Sequence, residues 1–220
     1  MDIKAVAFDL DGTLYPNYRM YLLSVGFAFR HPYLVYCFNE VRKEIRKVRP
    51  VDDFKTLQRD LLAKRMGVPP ERADELIEKK IYQAWEQSLK RLRTYPFLKD
   101  VLVALREDGY KLAVMSDFPV LAKLGFLGLD DLWDTAFCTE DTGYLKPNPE
   151  PFMELAKRLD CEPSSILYVG NSYSYDIIGA HNAGLRSAHL TKRPPSGSVA
   201  DFSFSSYPAL LEWIRERKGT

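Results

Sequence analysis

Two aspartates one residue apart, Asp9 and Asp11, close a short apolar run and are followed at once by Gly12 and Thr13. The run itself, Ala5 to Phe8, reads as a buried strand. In an extended chain, residues i and i+2 point to the same side. Asp9 and Asp11 therefore share one site if that geometry carries past the strand. Carboxylates held so close repel each other unless a cation or a shared proton intervenes. Gly12 permits a tight exit from the strand. Open α/β sheets bind ligands at strand ends of this kind. The stretch points to a metal, an anionic substrate and an enzyme.

Three further groups of residues fall at or just beyond expected strand ends. Ser116 and Asp117 follow an apolar run from Lys111 to Met115. A hydroxyl and backbone amides there can hold a phosphate oxygen, although Ser-Asp after a strand also serves as a plain helix cap. Lys146 stands between Gly143 and Pro147 in a loop stiffened by prolines. Its ammonium suits a phosphate or a neighbouring carboxylate; the bland alternative is an exposed lysine. Gly170-Asn171 with Asp176 follows the run Ile166 to Val169. Asn171 offers a neutral oxygen ligand and Asp176 a charged one, or Asp176 simply caps the next helix.

The elements that must position these residues come in two textures. From Pro16 to Tyr95 the helical period dominates. Leu34, Phe38, Val41, Ile45 and Val48 recur at spacings of three and four, and Leu76, Ile77, Ala84, Trp85, Leu89 and Leu92 form a later stripe. Gly67 is the expected stop of the intervening helix. After Tyr95, strands are expected at 111–115, 135–138, 166–169, 186–190 and 202–204. Helices are expected at 97–108, 119–124, 149–159, 175–183 and 208–217. Alternation of this kind implies a mostly parallel sheet with helices on both faces. The expected organisation is an α/β catalytic core made of residues 1–15 and 96–220, interrupted by an all-helical unit at 16–95.

Composition narrows the class. Lys plus Arg total 31 against 30 Asp plus Glu, so no global charge favours nucleic acid. Cys37, Cys138 and Cys161 lack metal-ligand or disulfide-framework spacing and read as reduced thiols. The start of the chain lacks the pattern of a secretory signal, and a cytoplasmic location is expected. The apolar stretch Tyr18 to Phe38 is broken by Arg19, Arg30, His31 and Pro32 and reads as helix packed on protein rather than a membrane span.

In their order along the chain, Asp9-Leu10-Asp11-Gly12-Thr13, Ser116, Lys146-Pro147 and Gly170-Asn171 with Asp176 resemble the motifs of the haloacid dehalogenase superfamily of phosphohydrolases. The resemblance implies a Rossmann-like parallel-sheet core with a helical cap inserted after the first motif. It implies a small phosphorylated substrate and Mg2+. Asp9 would be the nucleophile that forms an aspartyl-phosphate. Asp11 would protonate the leaving oxygen and then activate water. Ser116, Lys146, Gly12, Thr13 and Asp117 would hold the phosphoryl group, and Asp9, Asp11 (through its carbonyl), Asn171 and Asp176 the metal.

One residue departs from the pattern: family phosphatases usually carry an acid where this chain has Asn171. The expected consequence is an active site with weaker magnesium affinity, unless Asp176 compensates. A phosphomutase remains an open alternative, since it shares the aspartyl-phosphate. The dehalogenases proper typically have no acid at the position of Asp11, because no phosphate leaving group needs a proton, so Asp11 argues for phosphoryl transfer. A binding protein that has lost catalysis is disfavoured because both aspartates are present. The basic cluster Arg42, Lys43, Arg46, Lys47 and Arg49 reads as a solvated face or as an attractor of anions. The aromatic residues Tyr15, Tyr18, Tyr21, Phe27, Phe29, Tyr33, Tyr36 and Phe38 are expected mostly to pack between cap helices, with a few near the substrate.

Overall fold

Six strands form one sheet in the order β3-β2-β1-β4-β5-β6, with every neighbouring pair parallel. They are β1 (Ala5–Phe8), β2 (Lys111–Ser116), β3 (Thr135–Cys138), β4 (Ile166–Gly170), β5 (Arg186–Leu190) and β6 (Phe202–Phe204). This computed structural model describes residues 2–217, apart from the side chains of Ala84, Trp85 and Ser88. The expected contribution of Ala84 and Trp85 to an apolar stripe therefore lies outside the described residues. The strands match the sequence-based expectation almost residue for residue, because central parallel strands are continuous apolar runs bounded by polar loops.

Between β1 and β2 the regular elements are helices, joined by loops, with one isolated bridge between Asp11 and Tyr15. The chain there forms α1 (Asn17–Arg30), α2 (Pro32–Ile45), α3 (Phe54–Met66) and α4 (Pro70–Glu75), and α4 runs on through wider π-helical turns at Leu76–Trp85. Asp53 opens α3 by accepting hydrogen bonds from the amides of Lys55 and Thr56 at 3.0 and 3.3 Å. Gly67 closes it in the left-handed region, as expected. Beyond this unit come α5 (Leu98–Glu107), α6 (Leu121–Leu127), α7 (Pro149–Leu159), α8 (Ile178–Asn182) and α9 (Tyr207–Glu216). The helix expected to end at Leu124 continues to Leu127, because its stop is the left-handed Gly128.

Alternation along β1 divides the core. Val6 and Phe8 join a cluster with Val101, Leu105, Leu210 and Ile214 from α5 and α9. Ala5 and Ala7 face Phe152, Leu155 and Leu159 from α7 on the other side. The inserted helices bury a third cluster, built on Leu34, Phe38, Val41, Ile45, Phe54 and Leu62. Leu89 and Leu92, near the end of the insertion, pack instead into the main sheet core.

Two expectations about the insertion change. Its aromatic residues do not mostly pack inward: Tyr18, Tyr21, Phe29, Tyr33 and Tyr36 are exposed, Phe29 to 87%. They recur on the outward face of α1 and the adjoining part of α2, and α1 has no buried residue. The basic cluster is also not a uniform solvated face. Lys43, Lys47 and Arg49 are exposed, but Arg42 and Arg46 are not. Arg42 is buried and donates to Gln58, Glu140 and the Asp117 carbonyl. Arg46 donates to Asp117 Oδ2 at 2.7 Å and the Lys146 carbonyl at 2.8 Å, and Arg49 reaches Glu150. Arg42 and Arg46 thus clamp the insertion onto the loops that follow β2 and β3, and Arg49 reaches the first turn of α7. Arg42→Met would leave Glu140 buried without its cation, at a cost of about 3–5 kcal/mol. Urea unfolding should register that loss, and amide exchange should accelerate first in α2 and residues 139–146.

Candidate active site

Because β1 lies between β2 and β4, the residues that follow these three strands converge. Asp9 follows β1, Ser116 ends β2, and Asn171 follows β4. Lys146 enters from the loop before α7. Its ammonium donates to Asp9 Oδ1 at 2.7 Å, Asp176 Oδ1 at 2.6 Å and the Tyr168 hydroxyl at 3.1 Å. Tyr168 in turn donates to the Met115 carbonyl at 3.1 Å, fixing its ring beneath the lysine. Thr13 Oγ1 lies 2.9 Å from the other Asp9 oxygen. Asp9 is 5% exposed. Burial, opposed by Lys146 and reinforced by Asp176 and Asp11, pushes its carboxyl from 3.8 up to about 7. Lys146 is raised above its ordinary range because the attraction of Asp176 and Asp9 outweighs its burial.

Asp11 is held by a different lysine. Lys123 Nζ on α6 is 2.8 Å from both of its carboxylate oxygens. Tyr15 donates to Oδ1, and Ser116 Oγ donates to Oδ2 at 3.1 Å. The two carboxylates share a pocket, as their spacing suggested, but each has its own ammonium. Tyr15 is one of the aromatic residues of which a few were expected near the substrate, whereas Lys123 was not singled out from sequence. Lys123 did leave a signal: it is the lone charge in Leu121-Ala122-Lys123-Leu124-Gly125-Phe126-Leu127. A lysine within an otherwise apolar helix is buried only if paired, and this one is 1% exposed.

The remaining candidates divide. Ser116 and Lys146 line the same pocket as the aspartates. Thr13 contributes its hydroxyl, whereas its amide closes the turn onto the Leu10 carbonyl at 3.2 Å. Gly12 has φ +91°, and a Cβ there would sit 2.5 Å from Asn171 Nδ2, so only glycine fits this turn. Asp117 is not placed for phosphate through its side chain. Its carboxylate accepts from Thr139 Oγ1 at 2.8 Å, the Lys146 amide at 3.1 Å and Arg46 at 2.7 Å, and Lys146 and Arg46 hold it below the usual carboxylate range against the opposing effect of burial. An acceptor so committed positions the lysine loop.

Asp176 likewise gives Oδ1 to Lys146 and accepts from the Ser172 amide at 2.9 Å through Oδ2. A Cβ on Gly170 would lie 2.3 Å from Asp176 Cβ, so glycine lets this side chain fold back under the site. Among the described residues, no group of three or more His, Cys, Asp or Glu side chains is placed to hold a metal. Oxygen donors nonetheless converge. One hydroxyl, Thr13 Oγ1, lies within hydrogen-bond reach of both Asp9 Oδ2 and Asn171 Oδ1, the latter at 3.1 Å. A single proton satisfies one of them at a time. When all three are ionised, Asp9, Asp11 and Asp176 outnumber Lys123 and Lys146 by one charge. Hard oxygen donors with surplus negative charge fit a magnesium ion.

Comparison with known proteins agrees with this geometry. The family model for haloacid dehalogenase-like hydrolases matches residues 3–184. A glyceraldehyde 3-phosphate phosphatase from Methanopyrus kandleri is 31% identical, over 97% of this chain and 98% of its own. A phosphoglycolate phosphatase from Haemophilus influenzae is 31% identical, over 94% and 96%. Among solved structures, a 2-haloacid dehalogenase from Pseudomonas syringae pv. Tomato superposes with a TM-score of 0.71 at 25% identity, over 97% and 99%. The chain belongs to the haloacid dehalogenase-like hydrolases.

Proposed function

We propose that the protein hydrolyses the phosphate monoester of a small metabolite through an aspartyl-phosphate on Asp9, with Mg2+ as cofactor, in the cytoplasm. It is a phosphatase of its family. The observation that carries the mechanism is the division of labour between the aspartates. Asp9 lies buried against Lys146, and Asp11 is held separately at the edge of the same pocket.

An Asp9 carboxylate oxygen attacks phosphorus, and the bond to the substrate oxygen breaks. Lys146 and the Ser116 hydroxyl stabilise charge on the phosphoryl oxygens. Asp11, when protonated, gives its proton to the leaving oxygen. As a carboxylate it then takes a proton from the water that attacks phosphorus and frees Asp9. Magnesium, held by Asp9, the Asp11 backbone carbonyl and Asn171, would offset the repulsion between a phosphate dianion and the aspartates. Asn171 supplies an oxygen without a charge, so metal affinity is lower than with an aspartate there. Asp9 is nearly closed off, so substrate entry requires the inserted helices to shift against the sheet; the three arginines are the contacts that must give.

The direct test is phosphate release from a panel of small phosphate esters with and without magnesium. Asp9→Asn should lose activity by on the order of 10³-fold or more; equal release by wild type and variant would overturn the proposal. Lys123 orients Asp11, and its removal should matter in proportion to the proton the leaving group needs. Lys123→Met should lower kcat/KM for alkyl phosphates by about 100-fold or more, the scale of general acid catalysis. Nitrophenyl phosphate, whose leaving oxygen departs unprotonated, should lose far less.

A further inference from the structure

A cavity of about 350 Å³ opens beside Asp11, at the lower end of the range for small-molecule pockets. Its walls are Met20, Phe27, Val35, Phe38 and Ile81 from the inserted helices, and Phe118 from the loop after β2. Among the described residues, Asp11 is the only charged one that lines it, and the polar groups there, Tyr21, Ser24 and Asn39, are uncharged. The cavity reaches the residue that would protonate a leaving oxygen and stops short of the nucleophile. A leaving group bound there has its oxygen at Asp11 and its carbon skeleton among apolar side chains.

The neighbouring cations are committed elsewhere. Arg42 is 3% exposed and bonded to Gln58, Glu140 and Asp117. Arg46 pairs with Asp117 and Arg49 with Glu150. Lys123, with its ammonium 5.4 Å from the centroid of the Phe118 ring, holds both oxygens of Asp11. A leaving group with its own carboxylate, such as glycolate, would enter this cavity beside Asp11 without a counter-charge. Burying an unpaired charge is costly, and a second carboxylate adds repulsion.

We infer that the cavity selects the leaving group, and that the preferred substrates are phosphate monoesters of uncharged, largely apolar alcohols. This rests on the phosphatase reading and adds the substrate class. It separates the chain from relatives named for phosphoglycolate, whose leaving group carries a carboxylate.

The test is steady-state phosphate release by the full-length enzyme with magnesium. The substrates are the n-alkyl phosphates from methyl to hexyl, whose leaving groups differ little in acidity, together with phosphoglycolate and acetyl phosphate. Burial of each methylene should raise kcat/KM by about two- to fourfold until the cavity is full. Phosphoglycolate should fall at least about 100-fold below butyl phosphate. Asn39→Lys, which adds a cation at the exposed rim, should improve phosphoglycolate by about tenfold or more and flatten the alkyl trend. Turnover of phosphoglycolate or methyl phosphate equal to that of hexyl phosphate would overturn the assignment of the cavity while leaving the phosphatase reading intact. Absence of phosphate release from every ester and from acetyl phosphate would overturn the phosphatase reading, and the assignment with it.

Discussion

Buried Asp9 and partly buried Asp11 are tolerable beside one another because each has a lysine of its own. Lys146 satisfies Asp9 and Asp176; Lys123 satisfies Asp11. Burial removes the water that would otherwise screen these charges, so each carboxylate–ammonium attraction is stronger than at the surface. Much of the surrounding structure fixes these two ammonium groups. Tyr168 seats Lys146 from below, and Asp117 receives the Lys146 amide. Phe118 flanks Lys123, whose side chain is buried. The arrangement also separates two chemical tasks that identical side chains could not perform in identical surroundings.

The inserted helices serve the site twice. Their arginines bond to Asp117, to Glu140 and to the Lys146 carbonyl, so the position of the insertion is tied to the loops that hold Lys146. Their apolar side chains also form most of the wall beside Asp11. Basic residues that might have attracted a charged substrate are spent on docking, and the wall facing the leaving group is left uncharged. Loop position and the proposed substrate choice are therefore coupled through one element.

Much of this was legible in the sequence. The strands were, because a central parallel sheet demands short continuous apolar runs. Asp9, Asp11, Ser116, Lys146 and Asn171 were also legible as candidates, each lying at or beyond the end of such a run. Less legible were contacts formed across long sequence separations. Asp117 looked like a phosphate ligand because it adjoins Ser116, yet its partners Arg46 and Thr139 come from other elements. The cap arginines shared a helical face with lysines, and periodicity does not say which long side chains reach across to another layer. Lys123 was hidden by its setting in a short helix, although a solitary charge among leucines was the clue. The outward aromatic face of α1 was misread because apolar periodicity reports amphipathicity without naming the side that faces solvent.

The central claim is that Asp9, and not Asp11, carries the phosphoryl group. It is tested most directly by quenching the enzyme during turnover with magnesium, reducing any acyl phosphate with borohydride, and mapping the modified aspartate by mass spectrometry. The account predicts modification at Asp9 alone, its absence in Asp9→Asn, and its accumulation in Asp11→Asn, where water is no longer activated. Modification at Asp11, or sustained hydrolysis with Asp9 unmodified in every sample, would contradict it.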